Sequence, residues 1–175
     1  MPTILCFGCM KEINRPNEIC PHCGYDNHIR ENGRGLLRSK RIGGRYLVGR
    51  MLGRGGFGAT YIGYDINRKC RVAIKEYFPN KLVTRNNDGT DLNVYPDCEK
   101  RYQDGLKKAK REAKLAQEAG FIRGIVQVNE TVEENNTLYI IMEYVEGETL
   151  YNYISGLSRR PTVKEALKLL EPIAF

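Results

Sequence analysis

Three glycines and a lysine form the pattern in this sequence that points most directly to chemistry. Gly53, Gly55 and Gly58 give the spacing G-x-G-x-x-G, and Lys75 follows seventeen residues after Gly58. Glycines at this spacing let the backbone bend tightly over a phosphate chain, because a Cβ would keep the N–H groups away from the oxygens. Lys75 adds a compact positive charge for the same phosphates. The pattern therefore predicts a nucleotide phosphate site.

The same glycine pattern occurs in dinucleotide-binding folds, where it opens a helix and an acidic residue follows about 20 residues later. In this chain the residues after Gly58 are Ala-Thr-Tyr-Ile-Gly-Tyr, which are rich in β-forming types and lack helical periodicity. The element after the glycines is therefore predicted to be a strand, so that the glycines lie in a hairpin.

The predicted order of elements resembles the nucleotide-binding lobe of a protein kinase. This order is a strand, a glycine hairpin, a second strand, and a third strand that contains Val-Ala-Ile-Lys. The Glu-Tyr-Phe-Pro that follows Lys75 is similar to the bacterial serine/threonine branch of that family. The resemblance implies a site for ATP with Mg²⁺. In this part of the chain the implied nucleotide contacts are Leu52, Gly53, Gly55, Gly56, Phe57, Gly58, Thr60, Ala73 and Lys75. Thr60 replaces the family's usual valine, and its methyl group can make the same contact.

A long amphipathic helix is predicted after the third strand, and its apolar stripe contains Tyr102, Leu106, Ala109, Ala113 and Ala116. A kinase's regulatory helix offers a glutamate to the lysine of the third strand. At 100° per residue, Glu112 lies about 80° from the centre of the stripe, whereas Glu118 lies about 160° away. We therefore expect Glu112 to pair with Lys75 as the second catalytic residue. The alternative is that Glu112 only pairs with Lys107 or Lys108 along the helix.

Two further strands, 125–133 and 137–143, flank Glu-Asn-Asn, which is a hairpin signal. The second strand runs into Met-Glu-Tyr-Val-Glu-Gly, which resembles the hinge between the two kinase lobes. The resemblance implies that Met142 takes the gatekeeper position. It also implies that the main chain of Glu143 and Val145 binds the edge of the adenine.

Four cysteines near the N-terminus have the spacing of a metal site. They form two Cys-x-x-Cys pairs, Cys6 with Cys9 and Cys20 with Cys23, separated by ten residues. Each pair presents two thiolates on one tight turn, so that the two pairs can complete a tetrahedron around Zn²⁺. The segment resembles a zinc ribbon, in which the metal supplies folding energy on the order of 10 kcal/mol. The alternatives are two disulfides, or His22 as a substitute ligand.

The chain of 175 residues carries a formal net charge of +7, which is compatible with ATP or acidic partners and indicates none of them by itself. The first ten residues lack the basic start and long apolar core of a signal peptide. No run approaches the roughly 20 apolar residues of a membrane span. We therefore expect a cytoplasmic protein with reduced cysteines and no membrane segment in this part of the chain.

These elements predict an α+β fold. It consists of a protein-kinase-like small lobe, with a five-stranded antiparallel sheet and one regulatory helix, followed by a hinge and the first large-lobe helices. The expected ranges are 1–26 for the zinc ribbon, 27–44 for a basic linker, 45–147 for the small lobe with its hinge, and 148–175 for the start of the large lobe. An insertion is expected at 80–97, between the third strand and the helix.

Phosphoryl transfer in the family needs an aspartate that orients the hydroxyl, and asparagine and aspartate ligands for Mg²⁺. This sequence has no aspartate after Asp104 and no histidine after His28. We therefore interpret the chain as the ATP-binding part of a C-terminally truncated protein serine/threonine kinase. The complete enzyme would transfer the γ-phosphate to a protein hydroxyl, and this part alone would be inactive.

Two alternatives stay open. The first is a non-catalytic nucleotide-sensing or scaffold fragment. The second is a zinc-ribbon protein whose basic linker, 27–44, binds nucleic acid. The basic residues of this region continue from Arg30 to Arg54. The zinc ribbon is expected to dock a protein or regulatory partner, since a closed four-cysteine site leaves no position for a reacting water.

Overall fold

The structure of the protein, a computed structural model, describes residues 3–14, 19–28, 36, 38–122 and 124–174, with the backbone alone at 172–174. The strands in these ranges are β1 (Thr3–Leu5), β2 (Glu12–Asn14), β3 (Arg41–Ile42), β4 (Tyr46–Arg54), β5 (Gly58–Asp65), β6 (Cys70–Tyr77), β7 (Val83–Arg85), β8 (Leu92–Val94), β9 (Val128–Glu134) and β10 (Thr137–Glu143). The α-helices are α1 (Glu99–Glu118), α2 (Leu150–Ser155) and α3 (Val163–Ala174).

The main sheet is antiparallel and has the strand order β3-β4-β5-β6-β10-β9. Its five long strands are the five predicted from the sequence, and β3 is an additional edge strand of two residues. This strand pairs with β4 because Gly43 and Gly44 both adopt left-handed φ values, 55° and 66°, and reverse the chain. The segment expected as a linker thus adds a strand to the sheet, and its Leu36 enters the core. Arg30 and Arg34 of that segment lie outside the described residues.

Along the central strands, successive side chains point to opposite faces of the sheet. We call the face with the buried apolar residues the core face and the opposite one the site face. The core face is lined by Tyr46 and Val48 of β4, Ala59 and Tyr61 of β5, Val72 and Ile74 of β6, and Tyr139 and Ile141 of β10. Residues of β5, β6 and β10 that lie between these positions point to the opposite face, among them Thr60, Lys75 and Met142. The predicted strands therefore place all three on one surface.

The insertion predicted at 80–97 forms a hairpin of its own, in which β7 pairs with β8. Its apolar residues Leu82, Val83 and Leu92 form a second core with Phe78 and Tyr102. Tyr102 belongs to α1, and its ring centroid lies 5.4 Å from that of Tyr77 on β6. The insertion therefore fastens the start of α1 to the end of the strand that carries Lys75.

The chain after the hinge forms two helices, as predicted. The side chain of Thr149 accepts a hydrogen bond from the N–H of Asn152 at the start of α2. Thr162 and Glu165 form a capping box at the start of α3, in which each side chain accepts a hydrogen bond from the backbone N–H of the other residue. α3 continues to Ala174. No helix in the described part of the chain is long and apolar enough to cross a membrane.

Candidate nucleotide site and cysteine cluster

The glycines lie in the hairpin between β4 and β5, as the sequence predicts. Gly53 is opposite Thr60 in the strand pairing, and the N–H of Gly55 donates to the carbonyl of Gly58 at 2.8 Å. A Cβ at Gly58 would lie 2.8 Å from the carbonyl oxygen of Glu76, so this position needs glycine for the close approach to β6. A Cβ at Gly55 would meet no atom within 4 Å. The outer surface of the hairpin is therefore open.

The register of the sheet brings the predicted contact residues into two adjacent rows. Thr60 is opposite Lys75, which is opposite Ile140 on β10. In the next row, Ala73 lies opposite Met142. Directly opposed side chains in an antiparallel sheet have Cβ atoms about 4.5–5.5 Å apart. One face beneath the glycine hairpin therefore carries the predicted lysine, the gatekeeper methionine and two apolar contact positions.

A cavity of about 670 Å³ separates this face from α1. Lys75 and Ile140 line the sheet side, Phe57 lines the hairpin side, and Ala109 and Glu112 line the helix side. The adenine-end positions Leu52, Met142, Glu143 and Val145 are not among its lining residues. Val145 is 64% exposed, so the expected adenine position is an open surface.

Lys75 and Glu112 line the same cavity, but the structure contains no ion pair between them. Glu112 is 66% exposed and lies 3.8 Å from Lys108, which is the alternative pairing considered from the sequence. Contacts with β9 set the orientation of α1 about its axis. Lys110 pairs with Glu133 of β9 at 2.6 Å, and Gln117 donates to a β9 carbonyl at 2.9 Å.

These contacts turn the face around Ala113 toward the sheet, and Glu112 lies about 100° from it. The same rotation leaves Ala116 exposed, so the predicted stripe is correct at Tyr102 and Ala113 and wrong at Ala116.

Arg71, which was not predicted as a functional residue from the sequence, stabilises the hinge. Arg71 of β6 pairs with Glu146 at 2.5 Å, and its guanidinium lies 5.3 Å from the centroid of the Tyr144 ring. The hydrogen bond from Arg71 lowers the pKa of Glu146. On the other side, the backbone N–H of Glu143 donates to the carbonyl of Gln127 at 3.0 Å. The expected adenine-binding main chain is thus fixed at both ends.

A buried charged network stabilises the strand that carries Lys75. Glu76 is fully buried on the core face, and Arg85 of the insertion donates to both of its carboxylate oxygens, at 2.6 and 2.7 Å. The Tyr61 hydroxyl donates to Glu76 at 2.9 Å, and that of Tyr139 lies 3.4 Å from it. Burial, followed by the nearby Glu76 charge, raises the pKa of both tyrosines well above the usual range. Arg85 was not predicted from the sequence, since one arginine in a polar insertion follows no periodic pattern.

The four predicted cysteines converge in the N-terminal segment. Their sulfur atoms all lie within 4.8 Å of one another, with 3.8 Å from Cys6 to Cys23 and from Cys9 to Cys20. Four sulfurs at about 2.3 Å from one Zn²⁺ in a tetrahedron lie about 3.8 Å apart, so the donor set and its spacing fit zinc. A disulfide needs about 2.05 Å, and all four thiols are free. His22 is exposed and is not part of the cluster.

Together, the glycine hairpin, the register of Lys75 and the strand that leads into the hinge define the class of this fold, a kinase-like small lobe. A family model described as the protein kinase domain matches residues 46–174. The chain therefore belongs to the protein kinase family.

Named relatives agree with this family assignment. Serine/threonine-protein kinase PrkC of Bacillus subtilis is 33% identical over 138 residues, which are 79% of this chain and 18% of that protein. Serine/threonine-protein kinase B of Synechocystis is 26% identical over 161 residues, or 90% of this chain and 25% of that protein. The chain thus spans a quarter or less of the length of these two relatives.

Solved structures show the same likeness. The apo form of PpkA-294 is 32% identical and has a TM-score of 0.65 over 71% of this chain and 43% of that one. The kinase domain of PknI from Mycobacterium tuberculosis is 23% identical with a TM-score of 0.55 over 80% of this chain and 48% of that one, which supports the fold alone.

Proposed function

We propose that this chain is the ATP-binding part of a protein serine/threonine kinase, which in its complete form transfers the γ-phosphate of ATP to a protein hydroxyl. The observation that carries the proposal is the sheet register that gathers Thr60, Ala73, Lys75 and Met142 on one face beneath the glycine hairpin. The choice of serine or threonine as acceptor is supported by the relatives named above.

The residues of this chain have separate tasks in that proposal. The N–H groups of the glycine hairpin and the ammonium of Lys75 would bind phosphate oxygens, and Thr60, Ala73 and Met142 would contact the adenine. ATP supplies the transferable phosphoryl group, and Mg²⁺ would offset its charge. Glu112 lines the same cavity as Lys75, and it could hold Lys75 only by leaving its present partner Lys108. The chain has no aspartate after Asp104, and we expect these 175 residues to bind nucleotide without transferring phosphate.

The test is nucleotide affinity measured by calorimetry with wild-type chain and Lys75→Met. Hydrogen bonds to a charged group contribute about 1.5–3 kcal/mol, so the variant should bind about 10- to 100-fold more weakly. Lys107→Met removes an exposed lysine of α1 and serves as the matched control, which should bind as the wild type does. Equal affinity of all three proteins would contradict the site. In the complete kinase, Lys75→Met should abolish phosphate transfer to a protein substrate.

We also propose that Cys6, Cys9, Cys20 and Cys23 hold one structural Zn²⁺. The support is the 3.8 Å sulfur spacing and the short N-terminal segment, whose buried cluster consists of Cys6, Ile13 and Cys20 with a few partly buried neighbours. Metal analysis should find one zinc per chain, and Cys6→Ser with Cys20→Ser should lose it. Replacing exposed Cys70 by serine is the control that should keep it. Zinc retained by the double variant would refute this ligand set.

A further inference from the structure

The two Cys-x-x-Cys turns share a backbone hydrogen bond and a left-handed residue directly after the second cysteine. In the first turn, the N–H of the residue after Cys9, which is Met10, donates to the carbonyl of Cys6 at 2.7 Å. In the second turn, the N–H of Gly24 donates to the carbonyl of Cys20 at 2.8 Å. Both residues adopt left-handed φ values, 55° for Met10 and 68° for Gly24. Glycine adopts this conformation without steric cost, whereas methionine adopts it only at a steric cost.

Met10 makes a contact that a glycine could not make. Its side chain is 2% exposed, and its terminal methyl lies over Gly49 of β4, where a Cβ would come within 2.4 Å of it. Around the equivalent Gly24, a Cβ would meet nothing within 4 Å. The strained methionine is therefore the point where the first cysteine turn inserts into the surface of the kinase lobe.

Two hydrogen bonds fix the same turn to β4. The backbone N–H of Arg50 donates to the carbonyl of Phe7 at 2.7 Å, and its Nε donates to the carbonyl of Gly8 at 2.8 Å. Both acceptors lie between Cys6 and Cys9. The absence of a side chain at Gly49 permits this approach, because a Cβ there would also lie 2.6 Å from the Phe7 oxygen.

The strand that receives these contacts leads directly into the glycine hairpin. β4 extends to Arg54, and Gly53 lies only three residues after Arg50. The pairing of β4 with β5 shifts register between Val48 and Gly53, so Arg50 lies in a stretch where the ladder is irregular. A displacement of β4 at Arg50 would therefore reach the residues expected to cover the phosphates through the backbone of one strand.

We propose that the turn Cys6–Met10 is a positioning element for the glycine hairpin, so that metal binding at the cysteines controls nucleotide affinity. The proposal rests on the zinc and nucleotide sites proposed above. A four-cysteine segment this short loses its structure without metal. Loss of the turn removes the Met10 contact and the Arg50 hydrogen bonds from β4, and the nucleotide must then order the hairpin as it binds, which lowers its affinity.

The test compares the wild-type chain with Met10→Gly, each with zinc and after chelation. Met10→Gly removes the inserted side chain but suits the left-handed turn, so the variant should still bind zinc. Met10→Leu retains a large apolar side chain and is the matched control. The readouts are amide hydrogen exchange over residues 53–58 and the affinity for an ATP analogue.

In the wild-type chain, chelation should increase exchange at residues 53–58 and weaken nucleotide binding about three- to tenfold, the effect of losing roughly one net hydrogen bond. Zinc-loaded Met10→Gly should already show most of both changes, and chelation should add little to them. Met10→Leu should behave as the wild type does.

Two results would overturn the proposal. In the first, chelation of the wild type leaves exchange at residues 53–58 unchanged. In the second, chelation has the same effect on Met10→Gly as on the wild type, which would mean that the metal acts by another route. A chain that binds no nucleotide in either state would refute the ATP site, while hydrogen exchange would still decide the coupling. If zinc does not bind, the exchange difference between wild type and Met10→Gly decides whether the turn positions the hairpin.

Discussion

Arg85→Met tests whether the insertion stabilises the strand that carries Lys75. The guanidinium is 4% exposed and donates twice to the fully buried Glu76 carboxylate. Removing one partner of a buried ion pair costs about 3–5 kcal/mol, because the other charge is left buried without compensation. The Tyr61 hydroxyl still donates to Glu76 at 2.9 Å in the variant. We therefore expect a loss near the lower limit, about 3 kcal/mol of unfolding free energy.

The assay is urea denaturation of the zinc-loaded chain, followed by circular dichroism. A second variant, Glu76→Gln with Arg85→Met, replaces the carboxylate by a neutral amide that can still accept from Tyr61. It should be more stable than Arg85→Met by about 1 kcal/mol or more, because no unpaired charge remains. Arg159→Met is the control, since Arg159 makes a similar two-bond pair with Glu165 at 2.8 and 3.0 Å on the exposed surface.

The control should unfold at the same urea concentration as the wild type, because exposed ion pairs contribute little. A stabilising role of the Arg85–Glu76 pair is refuted if Arg85→Met is as stable as the Arg159→Met control. It is also refuted if the double variant is no more stable than Arg85→Met.

Two further predictions follow from contacts in the small lobe. Gly58→Ala should lower the free energy of unfolding by about 1–3 kcal/mol, because its Cβ would lie 2.8 Å from a backbone oxygen of β6. Gly55→Ala should leave the free energy of unfolding unchanged, because a Cβ there would lie in open space. Thermal unfolding compares the two, and equal stability would contradict the contact. The second prediction concerns Asp65, whose pKa is lowered first by its hydrogen bonds from the Arg45 guanidinium. A carboxyl with a lowered folded pKa stabilises the fold above its unfolded pKa of about 3.9 and loses that contribution as the pH falls through the folded value. Asp65→Asn should therefore be less stable than wild type at pH 7, and the difference should narrow below about pH 4 in urea titrations at both pH values. A difference that stays constant with pH would exclude this role of Asp65.

Features carried by neighbouring residues were predictable from the sequence. The strand of the main sheet that comes last along the chain, β10, was predicted at 137–143 and occupies Thr137–Glu143. The cysteine spacing predicted a cluster, and the four sulfurs converge within 4.8 Å. Alternation, turn residues and ligand spacing act over a few residues, so the sequence displays them directly.

The pairing of Glu112 could not be decided in the same way. Periodicity gives the angle of Glu112 relative to the apolar stripe of its own helix, but not the rotation of that helix on the sheet. That rotation depends on Lys110 and Gln117, whose partners on β9 lie more than ten residues away along the chain. An error of a few tens of degrees is enough to change the partner of a residue at the boundary of the packed face.

The sequence by itself determined the family, the order of the strands along the chain, the glycine hairpin and the four metal-ligand candidates. Only the tertiary structure decided which distant residues meet. In the folded chain, Arg85 pairs with Glu76 and Glu112 pairs with Lys108. Met10 lies against Gly49 of β4, the strand that leads into the glycine hairpin. The physical reason is that these contacts depend on how elements pack across long sequence separations, which leaves no periodic trace in the residues themselves. In the folded chain, the first cysteine turn contacts Gly49 and Arg50 of β4, the strand that leads into the glycine hairpin.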